Sequence, residues 1–319
     1  MAKKSKSRSF SAAATNTRHD PSSKPSNNKA EYLLQGLPDA ERRHLERCTL
    51  DACAINNNNA NKSDRDSLVK QAVSILEQEH CLVLHNCLSC NEIQVLQETY
   101  GALREHGQTA IGEKDPTRRS GTRLYNCLCQ LGPACDFYDW KPGAEQARAC
   151  LNPKASSTCS DSSYYDYQYY QQQQQQPTKK KPLWKEITDH FHFTHIARVE
   201  VVTSHVGCRA QGWHIDGVHG LTVIMPLTDV GVRQGPTELD FSIDFVGLWE
   251  GDPKVRNAAD AAKQMRAVMP AGSVLLFNAN VSHRGSANIG RVDRPICVLD
   301  CSLESTCLAK GGPRDVWSV

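Results

Sequence analysis

Apolar and polar positions along this 319-residue chain change rhythm three times. From Ser67, an acceptable helix N-cap, the run SLVKQAVSILEQEH sets Leu68, Ala72, Ile75 and Leu76 on one face at helical spacing. CLVLHNC (81–87) then reads as a short buried strand, and SCNEIQVLQETYGALREHG (89–107) predicts a second helix ended by Gly107. Beyond residue 190 the pattern turns to strands. His195–His205, Leu221–Val230, Gly272–His283 and Arg294–Ser302 are rich in Val, Ile, Leu, Thr and Phe and are punctuated by Gly, Asn and Pro. Parallel strands need long helical crossovers, and only Pro253–Met269 carries such a pattern among these connections. The expected fold is therefore mainly β with flanking helices (α+β), a mostly antiparallel sandwich or jelly roll with the helices packed outside.

The polar stretches bound this domain. Residues 1–28 are rich in Ser, Lys, Asn and Pro and carry too little apolar surface to offset the entropy of ordering. A charged helix is expected from Ala30 to about Arg47, broken by the turn-forming NNNNANKSDRDS (56–67). SSYYDYQYYQQQQQQPTKKKP is low complexity with no apolar stripe, and is expected to be a surface insertion. The layout is a weakly structured region over 1–66, one domain over 67–305 with an insertion at about 135–182, and a tail over 306–319. Contacts between the Tyr/Gln insertion and a protein partner are a possible role for it.

Composition narrows the function classes. A net charge of +2 gives no bias toward nucleic acid or anionic membranes, and no run reaches the roughly 20 apolar residues of a membrane span. No secretory signal is legible, so a cytoplasmic location is expected. The basic, Ser-rich start MAKKSKSRSFSAAATNTRHD has the composition of an organelle transit peptide but lacks amphipathic spacing. Fourteen cysteines without such a signal are expected to be reduced. Cys87, Cys90, Cys127, Cys129 and Cys135 have some of the spacing of a zinc site, but they form no matched repeat, and packing is the expected role.

Candidate chemistry centres on QGWHIDGVHG (211–220), where His214 and Asp216 stand two apart. With 12 His and 35 acidic residues, His-x-Asp/Glu is expected about once by chance. A second instance, His44-Leu45-Glu46, sits in the polar run AERRHLERC and is expected on a solvated helix face. Context separates the two. His214 and Asp216 lie between strands, and in an extended backbone residues i and i+2 share a face. His283 closes an apolar strand and supplies a third ligand. Two His and one carboxylate form the facial set of non-haem Fe(II) oxygenases, although zinc would accept the same three. Arg294, at the start of the next strand, offers a planar fork for a carboxylate, as a site holding 2-oxoglutarate requires.

At QGWHIDG, LTVIMPLTDV, QGPTELDF and SHRGSANIGRVDRP the sequence resembles the phytanoyl-CoA dioxygenase family of Fe(II)- and 2-oxoglutarate-dependent oxygenases, with His283, Asn288 and Arg294 in the family's order and spacing. The resemblance runs from about Ser67 to Ser302, the insertion apart. It implies a double-stranded β-helix (jelly roll, cupin-like), with His214, Asp216 and His283 on iron as the catalytic centre and Arg294 on the distal carboxylate of 2-oxoglutarate. It further implies consumption of O₂, release of succinate and CO₂, and hydroxylation of a small or medium-sized substrate. Related halogenases have a small residue at the carboxylate position, so Asp216 favours hydroxylation.

Other assignments compete. Arg284 and Arg291 rival Arg294, but Arg284 adjoins His283 and is expected to face the other way. His219 is expected in a solvated loop. DHFHFTH offers His190, His192 and His195; on a strand the first two share a face and the third does not. The alternative function is a non-catalytic scaffold of the same fold that binds a metal or ligand.

Overall fold

The computed structural model describes residues 28–56, 61–105, 123–131, 138–140, 147, 151, 181–193, 195–216, 220–242 and 264–302. The helices that matter for the core are α4 (Lys62–Glu79), α5 (Cys90–Glu105) and α6 (Leu183–His190), preceded by α1 (Asn28–Leu33), α2 (Asp39–Arg47) and α3 (Cys53–Asn56). Helix α4 starts five residues ahead of Ser67, because the side chain of Asn61 accepts the Asp64 N–H at 2.8 Å and caps it there. Helix α5 opens on a reciprocal cap: Ser89 Oγ accepts from Glu92 N, and Glu92 Oε2 accepts from Ser89 N.

The strands fall into two sheets. The larger has the order β1-β2-β9-β6-β11-β5-β3-β4, with β1 (Thr49–Asp51), β2 (Cys81–His85), β3 (Arg123–Leu131), β4 (Tyr138–Trp140), β5 (His195–Ser204), β6 (Gly220–Pro226), β9 (Val274–Asn278) and β11 (Arg294–Ser302). The smaller is β10-β7-β8, with β7 (Thr237–Asp240), β8 (Gln264–Ala267) and β10 (Ser282–Gly285). Among the described residues every strand pairing is antiparallel except β1 with β2.

Strand alternation explains the layers. Leu221, Val223 and Met225 of β6, Leu276 of β9 and Cys297, Leu299 and Cys301 of β11 point to one face of the large sheet, where they meet Leu76, Leu96, Trp184 and Ile187 of the helices. Ile224, Leu275, Phe277 and Ile296 point to the other, where they meet Leu239, Met265 and Ala267 of the small sheet. With both faces covered, the central strands β6 and β9 are buried throughout, which is why their sequences read as continuous apolar runs. The described part is thus a mixed, sheet-rich fold with α4, α5 and α6 on one face of the large sheet and α2 beside the small sheet on the other.

Several expectations need correction. The run Gly272–His283 is two strands in different sheets: Asn278 ends β9 by accepting Val281 N on its carbonyl and Asn280 N on its side chain, and the chain then enters β10. The helical pattern at Pro253–Met269 fails where it is described. Residues 253–263 lie outside the described residues, and Gln264–Ala267 is β8. His190 ends helix α6 and His192 has φ 61°, so DHFHFTH is a helix terminus and turn before β5, not a strand.

The segment ahead of Ser67 contributes β1 to the large sheet. Its helix α2 is anchored to β8 by a paired Arg266–Glu41 contact, Nε at 2.9 Å and Nη2 at 3.0 Å. His44 is therefore not on a solvated face: it is 0% exposed. Within 135–182, β4 pairs with β3, and Ala147 and Leu151 are buried in the helix-facing core. The Tyr/Gln run, Gly107, Cys135 and His219 lie outside the described residues. No helix among the described residues is long and apolar enough to cross a membrane.

Candidate metal centre

The QGWHID segment is laced along the edge strand β10. Gln211 N donates to Gly285 O at 2.9 Å, and Gln211 Oε1 accepts Gly285 N at 2.7 Å. His214 and His283 form an isolated bridge in which each amide donates to the other's carbonyl, at 3.0 and 2.8 Å. Asp216 N then donates to Ala279 O at 3.1 Å. Alternation turns His214 and Asp216 inward, while Ile215 is exposed and Trp213 stacks beneath Arg284, 4.3 Å from its guanidinium.

Inside, one ligand atom from each of His214, Asp216 and His283 lies within 4.8 Å of the other two. His283 Nε2 is 3.6 Å from Asp216 Oδ1. The rings have a defined tautomer. Nδ1 of His214 faces Gly212 O at 2.9 Å, and Nδ1 of His283 faces Val281 O at 3.0 Å. A carbonyl oxygen only accepts, so both Nδ1 atoms carry the proton, and in neutral rings both Nε2 atoms carry a lone pair. Thr222 of β6 donates to Asp216 Oδ2 at 2.6 Å, which orients the carboxylate and leaves Oδ1 on the imidazole side. Two lone pairs and a carboxylate converging in this way suit a cation about 2.1 Å from each donor. The donor set therefore fits a divalent metal.

Arg294 lines the same pocket and is 2% exposed. On β11, residues 294, 296, 298 and 300 line the cavity, while 297, 299 and 301 face the helices. Its guanidinium is anchored by Nη2 to Ser204 Oγ at 2.7 Å and by Nη1 to Gly235 O. Arg284 pairs with Glu238 on the far face, as its parity requires, and Arg291 is exposed. Asn288 is fully buried and acts on the backbone: Nδ2 donates to Ser204 O and Val292 O, so it staples the β10–β11 turn to β5. Val202, Ile224, Ile296 and Val298 give the pocket apolar walls, and Glu200, Thr237 and Asp300 add polar groups.

Sequence reasoning missed Thr222, Ser204 and Gly235. The last has a legible signal, a Gly ahead of Pro in QGPTE. Gly235 has φ +73°, and a Cβ there would lie 2.6 Å from Ser286 O and 2.9 Å from Ala287 O, both backbone atoms. Gly235→Ala is expected to destabilise the fold by about 2 kcal/mol or more and to loosen the Arg294 anchor. Chemical denaturation measures the first effect. An unchanged midpoint would mean that the loop relaxes without strain.

The cysteines divide by environment. Burial pushes the Cys87 and Cys301 thiols up to about 12, and it raises Cys297 as well. Cys90 is exposed while Cys87 is buried, and the two join no metal-sized cluster among the described residues. Cys48 behaves oppositely, lowered to about 6 by a hydrogen bond from the Cys81 thiol and by His44, against the cost of burial. Side chains of Cys127 and Cys129 lie outside what is described.

No protein-family model matches this chain, and no curated protein sequence matches it. Among solved structures it is similar to the non-haem α-ketoglutarate-dependent epimerase SnoN of nogalamycin biosynthesis, at 11% identity over 74% of this chain and 82% of that one, with a TM-score of 0.48. The corresponding carbocyclase SnoK of the same biosynthesis shows 14% identity over 75% and 85%, with a TM-score of 0.47. AviO1 from Streptomyces viridochromogenes Tue57 shows 12% identity over 77% and 98%, with a TM-score of 0.46. Superpositions at this level carry no weight for function, which rests on the side chains at the site.

Proposed function

We propose that this chain is an Fe(II)- and 2-oxoglutarate-dependent dioxygenase with a double-stranded β-helix core, of the phytanoyl-CoA dioxygenase type, hydroxylating a small or medium-sized organic substrate. The observation that carries the proposal is the convergence of His214, Asp216 and His283 in one pocket with the buried Arg294. His214 and His283 hold the metal through Nε2 and Asp216 holds it through Oδ1, a two-His-one-carboxylate set that leaves coordination positions open. Arg294 binds the distal carboxylate of 2-oxoglutarate, with its plane fixed by Ser204 and Gly235. When bound, the iron supplies O₂ activation coupled to decarboxylation of 2-oxoglutarate to succinate and CO₂, with the second oxygen atom delivered to a C–H bond. Val202, Ile224, Ile296 and Val298 keep the reacting region dry and hold the substrate beside the metal.

Anaerobic addition of Fe(II) and 2-oxoglutarate should produce the visible charge-transfer band of the chelate, and admission of O₂ should yield succinate. A band without succinate would point to the scaffold alternative, and absence of both would remove the metal assignment. Thr222→Val, which keeps the volume but removes the donor to Asp216, should weaken Fe(II) binding by about 10- to 100-fold. Titration of the anaerobic protein measures it, and an unaltered affinity would mean that Thr222 does not orient the ligand.

A further inference from the structure

We propose that His44, Cys48 and Cys81 form a second metal site, a Zn(II) site that ties helix α2 to strand β2 about the outer edge of the large sheet. The three ligand atoms lie within 4.8 Å of one another, and all three residues are 0% exposed. His44 and Cys48 are four apart. Cys48 caps α2 with its N–H on His44 O at 3.1 Å, so helical geometry brings both side chains to one face. Cys81 opens β2, and its neighbour Val83 donates to Cys48 O at 2.7 Å, which fixes the helix end against the strand.

Distances distinguish a metal from a disulfide. The two Sγ atoms are 3.5 Å apart. Two thiolates at ~2.3 Å from one tetrahedral zinc sit about 3.8 Å from each other, so an ion fits after a shift of a few tenths of an ångström. A disulfide requires about 2.05 Å and a far larger closure. Two thiolates with one imidazole form a soft set that selects zinc over the harder ions suited to the His214 site. Glu79 places Oε2 3.3 Å from His44 Nε2, while Arg47 Nε lies 3.3 Å from its other oxygen. That carboxylate orients the imidazole as an outer partner does in zinc proteins, making Nδ1 the ligand atom. Phe241 packs on the ring at 5.0 Å between centroids.

The test uses the full chain, reduced, stripped with a chelator and reloaded with one equivalent of Zn(II) or Co(II). Elemental analysis after gel filtration should find zinc retained in the unsubstituted protein and in His283→Ala, and reduced at least tenfold when Cys48→Ser or Cys81→Ser is added to His283→Ala, the background in which the other cluster has lost a ligand. The cobalt form of His283→Ala should show near-ultraviolet thiolate-to-metal bands and intense visible bands of a tetrahedral ion. The His214 site, which has no sulfur ligand, cannot produce the thiolate bands, so this outcome is independent of the dioxygenase proposal. The unsubstituted protein must show the same thiolate bands, which settles the question even where a serine variant does not fold. Absence of those bands, or zinc content of His283→Ala unaffected by adding either serine substitution, overturns the site, as does a Cys48–Cys81 disulfide found by mass in the reduced, zinc-loaded protein.

Discussion

Replacing His214 with alanine is expected to abolish Fe(II) binding and, with it, succinate formation. In the proposed site the imidazole is one of three protein donors, and its loss should cost well beyond the ~100-fold expected for an outer partner such as Thr222. The fold should survive, because the bridge to His283 uses backbone N–H and C=O of residue 214, which alanine keeps. Circular dichroism should be native, therefore, while anaerobic iron titration shows no saturable binding. Saturable binding within threefold of the unsubstituted protein would place the metal elsewhere.

Replacing Arg294 with alanine should act on a different quantity. The side chain is buried beside the proposed metal site and donates to Ser204 and Gly235, so its removal deletes both of these hydrogen bonds at a cost of about 1–3 kcal/mol. For catalysis the chief effect should be on the 2-oxoglutarate requirement, with an increase of about 100-fold or more, as loss of a buried charge-assisted pair implies. Fe(II) affinity should change little. Arg294→Lys should recover only part of the loss, since an ammonium restores charge without the planar fork. If His214→Ala and Arg294→Ala instead produced equal, mild losses in both assays, the division of labour between metal ligands and cosubstrate anchor would be wrong.

What the sequence made legible follows from local signals. The strands of the larger sheet near the site announce themselves because both their faces are buried, and His214 with Asp216 gains meaning from inward alternation that holds in the structure. The strand TELD of β7 was illegible: four residues with alternate burial carry too short a pattern. Gln264–Ala267 was misread as helix because its neighbours 253–263 supply the helical rhythm and tertiary pairing with β7 overrides it. Thr222 and Ser204 look like ordinary strand residues, and only cross-strand proximity gives their hydroxyls a partner in the site. His44 was misjudged from its charged neighbours Arg42, Arg43, Glu46 and Arg47. Its burial comes from contacts with Glu79, Cys81 and Phe241, far away in the chain, that no local window contains.

The backbone bridge between His214 and His283 also has a thermodynamic meaning. These residues are about 70 positions apart, so an ion gripping both side chains closes a long loop that is otherwise open in the unfolded chain. A metal bound in the proposed site would thus work as a removable crosslink. Stability should rise with the logarithm of free ion once its concentration exceeds the dissociation constant, by about 1.4 kcal/mol per decade. Chelation would release that crosslink without disturbing the paired amides beneath it.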